Sequence, residues 1–277
     1  MKGLSELSIL IKGAGEMASG IAHRLHRAGI PRIVMLEIER PLCVRRFVSF
    51  CEAVQDGSAT VEGITARRVA AIADIAATWE AGEIPVMIDP EWTSIKALSP
   101  DAIVDAVMAK RNLGTQKSEA GFVIGVGPGF TAPRDVHAVI ESNRGHDLGR
   151  VIYDGCAEPY TGVPGEIKGL AKERVLRAPE DGQVRHVARL GDEVKKDELI
   201  LYVNTAEVRS PFDGILRGLI REINVNKNEK IGDVDPRARK EFCYTISEKA
   251  RAIGGGVLEA ILHEFNGKRN GKDVGNA

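Results

Sequence analysis

No stretch of this sequence stays apolar long enough to cross a bilayer. Runs such as "AIVDAV" break off well short of the about 20 residues that a spanning helix needs. The start of the chain shows no charged n-region, apolar h-region and cleavage site in series, so secretion is not expected. Cysteine is sparse and dispersed. Cys43, Cys51, Cys156 and Cys243 form no CxxC, which leaves no zinc or iron–sulfur signature and no disulfide framework. A reducing, cytoplasmic compartment is the expectation. A formal net charge of -1 gives no overall footprint for nucleic acid. What is present, 43% apolar and 28% charged residues over 277 positions, suits a soluble globular chain with room for more than one core.

Short apolar runs alternate with helical periods through the first half. "SILIK", "RIVMLEI", "IPVMID", "DAIVDAVMA", "FVIGVG" and "RVIYD" read as strands. Glu16 to Ala28 and "VAAIADIAATWEAGE" read as helices. This alternation predicts an α/β fold, a Rossmann-like parallel-sheet domain over 1–165, with ligand-binding loops along one sheet edge. From 166 to 236 the pattern turns to short β runs and repeats itself. "RAPEDGQV" is echoed by "RSPFDGIL", and "GDEVKKDELI" by "INVNKNEKI". Two such halves predict a small pseudo-twofold β domain. The segment 237–277 returns to helical spacing at Ile246, Ala250, Ile253, Val257 and Ile261. It is expected to pack back on the first domain, with a polar tail that frays.

The first βα turn carries chemistry. Gly13, Gly15 and Ala18 form G-x-G-x-x-A between a strand and a helix. The first glycine permits the tight turn, the second lets backbone approach a phosphate, and the small third residue lets helix and strand pack. Free N–H groups at the helix start favour an anion there. Glu37 ends the next strand at the spacing of a ribose-binding acid. Glu16 opens the helix with a charge that repels phosphate if it points inward, so a close-packed corner without a ligand is the plain structural alternative. Arg45 and Arg46 follow Glu37 and offer either anion neutralisation or a solvated surface.

A second group lies between Asp89 and His146. Asp89 ends a strand, and Asp105, Lys110, Asn112 and Thr115 run from a strand into a loop. Gly125, Gly127 and Gly129 make another glycine turn, a poorer phosphate nest because Pro128 lacks an N–H. Asp135, His137 and Glu141 share a face if strand-like, and His137 and Glu141 are neighbours if helical, so an imidazole and a carboxylate are expected to meet. That pair suits acid–base work with Asp105 and Lys110. The alternative is a Glu141–Arg144 pair, with His137 hydrogen-bonded at a sheet edge. With His146 the set fits no metal template, and no metal is assigned. His23 and His26 are expected to be exposed, His186 and His263 stand alone, and Cys156 is expected to be a small buried cysteine.

The duplicated β segment, through "RAPEDG", "GDEVKKDE" and "RSPFDG", resembles a barrel-sandwich hybrid of the biotinyl/lipoyl carrier type. A swinging arm needs a lysine between the halves, and "VNTAEVRSP" has none. Asn204 to Glu207 can carry no biotin or lipoyl group, so the module reads as structural, or as a cover or docking surface.

Longer strings in order extend the likeness to nearly the whole chain: "IKGAGEMASGIAHRLHRAGI", "VRRFVSFCEAVQDG", "VEGITARRV", "VDAVMAKRNLGT", "GPGFTAPRDVHAVIESNRGHDLGRVI", "TGVPGEIKG", "RVLRAP" and "IGGGVLEAIL". On these the chain resembles the YqeB family, the selenium-dependent molybdenum hydroxylase system proteins. The family's glycine loop is matched by Gly13, Gly15 and Gly20. The resemblance implies a role in maturing or inserting the selenium-bearing molybdenum cofactor of hydroxylases related to xanthine dehydrogenase. Its partners would then be the hydroxylase or its cofactor-assembly proteins, and it supplies no established reaction. The residues and the resemblance together predict an accessory protein that holds or acts on a nucleotide or a molybdopterin-type, phosphate-bearing cofactor. The glycine loop and the Gly127–Gly129 turn would contribute to the ligand site. An NAD(P)-dependent oxidoreductase completed by His137 or Lys110, and a non-enzymatic scaffold docking on the hydroxylase, remain alternatives. Whether the chain is an enzyme or a homo-oligomer stays open.

Overall fold

Strands rich in Ile, Val and Leu, buried almost end to end, call for cover on both faces, the pattern of a parallel sheet. The computed structural model describes residues 2–163 and 165–267. It divides into two compact units. The first comprises the chain to Pro41, Ser49–Tyr160 and the chain from Ile246. The second comprises Leu42–Val48 and Thr161–Thr245. The units are therefore not contiguous stretches with limits at 165 and 236. A segment near residue 45 joins the second unit, which runs on to Thr245.

In the first unit the elements follow as β1 (Ser8–Lys12), α1 (Glu16–Arg27), β2 (Arg32–Glu37), α2 (Ala53–Asp56), β3 (Ser58–Val61), β4 (Ile64–Val69), α3 (Ile75–Glu80), β5 (Ile84–Ile88), α4 (Ile95–Leu98) and β6 (Ala102–Asp105). They continue as β7 (Phe122–Val126), β8 (Thr131–Ala132), β9 (Ala138–Ile140), β10 (Val151–Ile152) and β11 (Gly155–Cys156). Nine of these strands form one sheet in the order β10-β9-β7-β6-β1-β2-β5-β4-β3. It is parallel from β9 to β4, with an antiparallel strand at each edge. Successive parallel strands progress outward from β1 through β2 to β5, then restart on its other side at β6. The order thus reverses between β1 and β6, where open α/β sheets leave a crevice at the carboxyl ends of the strands. The β3–β4 hairpin was not foreseen. Its turn residues Glu62 and Gly63 both have positive φ (44° and 84°), as a type I′ turn requires.

The C-terminal helix α5 (Glu248–Gly267) belongs to this unit, and Ala250, Ile253, Val257, Ala260 and Ile261 on it are buried. Ser247 Oγ accepts from the Ala250 N–H at 3.3 Å and caps its start. α5 lies against α1, whose Ala18, Ile21, Ala22 and Leu25 form the buried stripe. The approach is close: a Cβ on Gly20 would sit 2.7 Å from the Ala250 Cβ, and one on Gly254 would sit 3.0 Å from the Gly20 carbonyl oxygen. Glu62 Oε1 fixes the entry to α5, accepting from the Ile246 N–H at 2.8 Å and from Arg251 Nη2 at 2.7 Å. The polar tail expected to fray lies, from residue 268 on, outside the described residues.

The second unit holds β12 (Val175–Arg177), β13 (Gly182–His186), β14 (Glu193–Val194), β15 (Leu199–Val203), β16 (Ala206–Arg209), β17 (Gly214–Leu219), β18 (Asn224–Val225) and β19 (Lys230–Asp235). Two antiparallel sheets, β12-β19-β17-β14 and β16-β15-β13-β18, share one apolar core. Exchanging each strand of the first four for its counterpart in the second four converts one order into the other. The repeated P-x-D-G turns open the equivalent strands β13 and β17. Leu42–Val48 joins through the Leu219 N–H, which donates to the Val44 oxygen at 2.7 Å, and Val44 enters the core. At the β15–β16 turn, Asn204 Oδ1 accepts from the Gln183 N–H at 3.0 Å, and its Nδ2 donates to Glu180 Oε1 at 3.1 Å. The position between the halves is thus tied down and holds no lysine. Among the described residues, no helix is long and apolar enough to cross a membrane.

The helix contact yields a paired test. Gly20→Val should destabilise the protein by about 1–3 kcal/mol through overpacking against Ala250. Gly255→Ala, where an added Cβ meets nothing within 4 Å, should stabilise it by up to about 1 kcal/mol. Urea denaturation followed by helical circular dichroism reads both, and equal effects at the two positions would contradict the packing described.

Candidate functional site

Gly13 has φ +90°, and a Cβ there would crowd the backbone of Ala106 and Val107 at 3.3–3.4 Å, so the turn needs glycine. Its N–H donates to the Leu36 oxygen at 2.7 Å, and Cys51 N–H donates to the Ala14 oxygen at 2.8 Å. Gly15 is the N-cap of α1 in extended backbone (φ -70°, ψ -173°), with no side-chain cap. A Cβ on it would meet nothing within 4 Å. The Cβ direction of Gly15 therefore opens onto space at the start of α1, at the carboxyl end of β1. Glu37 does not wait free for a ribose. Its Oε2 accepts from the Ala14 N–H at 2.7 Å and its Oε1 from the Ile38 N–H at 2.8 Å, which binds the strand end to the glycine loop. Burial raises its pKa against those two bonds. Gly20 is the α5 contact, its Cβ direction filled by Ala250.

Beside the start of α1 stands Lys249, which no motif in the sequence marks. Its half-buried ammonium has its pKa lowered to about 8, by burial first and then by the like charges of Lys110 and Arg144, against the opposing pull of Glu16 and Glu141. Glu16, whose charge weighed against a phosphate, thus faces a lysine. Arg144 Nη2 pairs with Glu248 Oε1 at 2.8 Å, not with Glu141. Glu141 is buried at the end of β9, with Oε1 accepting from the Asn143 N–H at 2.6 Å and Oε2 from the Glu158 N–H at 2.7 Å. The Lys110 ammonium lies 5.2 Å from the Tyr160 ring centroid, and the protein around it lowers its pKa.

A second cluster forms where β1 and β6 lie in register, Lys12 beside Asp105. Lys12 is fully buried. Its Nζ donates to Thr115 Oγ1 and Glu119 Oε2, both at 2.7 Å, and lies 3.7 Å from the Trp92 ring centroid. Thr115 Oγ1 donates onward to Asp105 Oδ2 at 2.6 Å. Burial lowers the Lys12 pKa and raises that of Asp105. The only sequence signal for Lys12 was its place at a strand end just before the glycine turn. Asp89 turns its carboxylate inward to Thr93 and Ser94, whose hydrogen bonds outweigh burial and hold its pKa low.

His137 and Glu141 do not meet. They stand at opposite ends of β9, about 13 Å apart along a strand. His137 Nδ1 accepts from the Val123 N–H at 2.9 Å near the start of β7, away from the edge where the glycine loop lies. Asp135 pairs with Arg134 at 2.9 Å. Gly127 and Gly129 are packed closely against their own chain. A Cβ on the first would strike Ser142 Oγ at 2.4 Å, and one on the second the Arg111 backbone at 2.7 Å. Cys156 is exposed rather than buried, and His23 and His26 are half-buried rather than exposed. Arg45 is buried within the second unit, donating to the Arg217 and Thr245 oxygens at 3.2 and 3.3 Å. Among the described residues no three His, Cys, Asp or Glu side chains gather as a metal site.

No family model matches the chain. A curated relative, the uncharacterized protein YqeB of Escherichia coli (strain K12), is 49% identical over 255 residues, covering 92% of this chain and 47% of the relative. The chain thus spans about half the length of the relative it matches. This similarity supports the YqeB resemblance, and the relative's name carries no link to selenium or molybdenum hydroxylases. Among solved structures, TcdA (CsdL) aligns at 11% identity with a TM-score of 0.36, covering 97% of this chain and 90% of that one. Escherichia coli tRNA N6-threonylcarbamoyladenosine dehydratase, TcdA, aligns at 10% identity with a TM-score of 0.27, covering 93% and 89%. Likenesses at this level carry no functional argument.

The charge cluster predicts opposite shifts at Lys249. Arg144→Gln removes a like charge and frees Glu248, so the Lys249 pKa should rise above about 8, whereas Glu16→Gln should lower it. The pH profile of Lys249 acylation, read by peptide mass spectrometry, reports both, and identical profiles in the two variants would refute the cluster. Below pH 8 both folded and unfolded states carry the proton. The folding penalty of this ammonium therefore fades as pH rises from about 8 toward 10.5.

Proposed function

We propose that this chain, a relative of YqeB at 49% identity over most of its length, is an accessory protein that binds a phosphate-bearing cofactor or nucleotide in its first unit. The observation that carries the reading is the start of α1. It has no side-chain cap, an open approach at Gly15, and a lysine ammonium alongside that burial and like charges leave under-compensated. A phosphate there would accept from N–H groups at the helix start and supply Lys249 with a counter-charge. The strand order around β1 supports a Rossmann-like reading of this unit. The interchangeable sheets of the second unit support a barrel-sandwich hybrid, which without a carrier lysine would act as a cover or docking surface.

The biological role comes from the YqeB resemblance: maturation or insertion of the cofactor of selenium-dependent molybdenum hydroxylases in the cytoplasm. The hydroxylase or its assembly proteins would be the partners. Molybdopterin carries a phosphate and its cytosine dinucleotide form a pyrophosphate, and either suits a helix N-terminus. The oxidoreductase alternative is weakened because His137 lies at the wrong end of β9, which leaves Lys110 as its remaining candidate.

The test is thermal stabilisation by NAD, NADP, ATP, CTP and molybdopterin species. A true ligand at 100 times its Kd should stabilise the folded state by about 2.7 kcal/mol. Gly15→Val should abolish that gain while changing the stability of the ligand-free protein by no more than about 1 kcal/mol, because its backbone is extended and its Cβ direction is open. No stabilisation by any of these ligands, with hydroxylase activation retained in Gly15→Val, would favour the scaffold reading.

A further inference from the structure

The Lys12 cluster underlies a groove of about 710 Å³ whose walls include Pro90, Trp92, Ile95, Leu113, Ser118 and Glu119. The volume is that of a small-molecule site. It lies on the sheet face covered by α3 and α4, since Leu10, two residues before Lys12 on the same side of β1, packs with Ile75 and Ile95. Both walls are pinned from within. On one, the Asp89 carboxylate takes the N–H and hydroxyl groups of Thr93 and Ser94, and the Trp92 N–H donates to the Asp89 oxygen at 3.2 Å. This turn holds Trp92 at φ +57°, a left-handed backbone that a bulky side chain seldom adopts and that recurs at ligand clamps. On the other, Asn112 Oδ1 accepts from the N–H groups of Gly114 and Thr115, both at 2.8 Å, and presents Leu113 with 45% of its surface exposed. Lys12 joins the walls from beneath by gripping Thr115, Glu119 and the Trp92 ring together.

This arrangement offers a fixed indole platform, an apolar opposite wall and a carboxylate. Glu119 gives Oε2 to Lys12, and among the described residues no donor occupies its Oε1. An ionised carboxylate only accepts hydrogen bonds. We propose that the groove is a subsite for a planar nitrogen heterocycle bearing N–H donors, which stacks on Trp92 and donates to Glu119 Oε1. The ligand class is a nucleobase or a related aminopyrimidinone ring. Stacking alone is tolerant of ring type, so the Glu119 contact sets the preference for rings with an exocyclic amino group.

The subsite goes beyond the anion reading and is tested without phosphate. Guanosine should bind the full-length protein with quenching of Trp92 fluorescence and measurable heat in isothermal titration. Purine riboside, which stacks but lacks the donors, should bind about tenfold more weakly. Trp92→Leu and Glu119→Gln should each weaken guanosine binding by about tenfold or more. Leu113→Arg, at an exposed loop position that leaves the fold intact, should do the same by filling the groove. Failure of guanosine, adenosine and cytidine to bind at millimolar concentration overturns the proposal. So does binding that Leu113→Arg and Glu119→Gln leave unchanged, or equal affinity for guanosine and purine riboside.

Discussion

The candidate site depends on two helices meeting backbone to backbone. Gly20 on α1 and Gly254 on α5 leave no room for side chains between them, and Gly256 lies as tightly against the carbonyl of Gly149. Contact at this range maximises dispersion between close-packed surfaces. It also fixes the axial position of α5, because neither helix can slide without driving a Cβ into a carbonyl. Since Gly20 is one turn beyond the start of α1 and Ala250 is in the first turn of α5, the same contact draws the two helix starts together. Lys249 is delivered beside Glu16 from more than two hundred residues away in the chain, and Glu62, from the β3–β4 turn, secures the delivery through Ile246 and Arg251.

On the other face of the sheet, the governing constraint is a buried charge. An ammonium with no exposure is tolerated only when its donors are satisfied and a counter-charge is near. Lys12 meets both conditions through Thr115, Glu119, the Trp92 face and, one hydroxyl away, Asp105. Thr115 is central because a single hydroxyl accepts from the lysine and donates to the aspartate. Such a network orders the loops that supply its members. Rigidity at the mouth of the sheet therefore follows from the electrostatics of its floor.

Much of the architecture was legible because it rests on periodicity. The run from Glu16 to Ala28 read as a helix, the spacing of Ile253, Val257 and Ile261 marked α5, and the repeated P-x-D-G turns pointed to two equivalent β halves. The β3–β4 hairpin was missed because Glu-Gly is a weaker turn signal than Asn-Gly or Asp-Gly. The His137–Glu141 pairing failed on rise rather than on face. Residues four apart in a strand share a side, but extended backbone separates them by more than any side chain spans. Gly127 and Gly129 read like ligand glycines because sequence does not distinguish a backbone that approaches a phosphate from one that approaches its own chain. Lys12 and Lys249 were invisible as site residues because a lysine at a strand end or in a helix's first turn ordinarily faces water.

The first unit is interrupted: the chain leaves it at Tyr160 and rejoins it at Ile246. A ribosome releases the whole second unit before it releases α5. Through that interval the apolar face of α1, with Ile21 and Leu25 at its centre, lacks its partner helix. The nascent chain thus contains all of the second unit while the α/β layer still lacks a helix. Closure of that layer and the arrival of Lys249 are one event, so the charge arrangement at the glycine turn exists only in chains whose translation has run through α5.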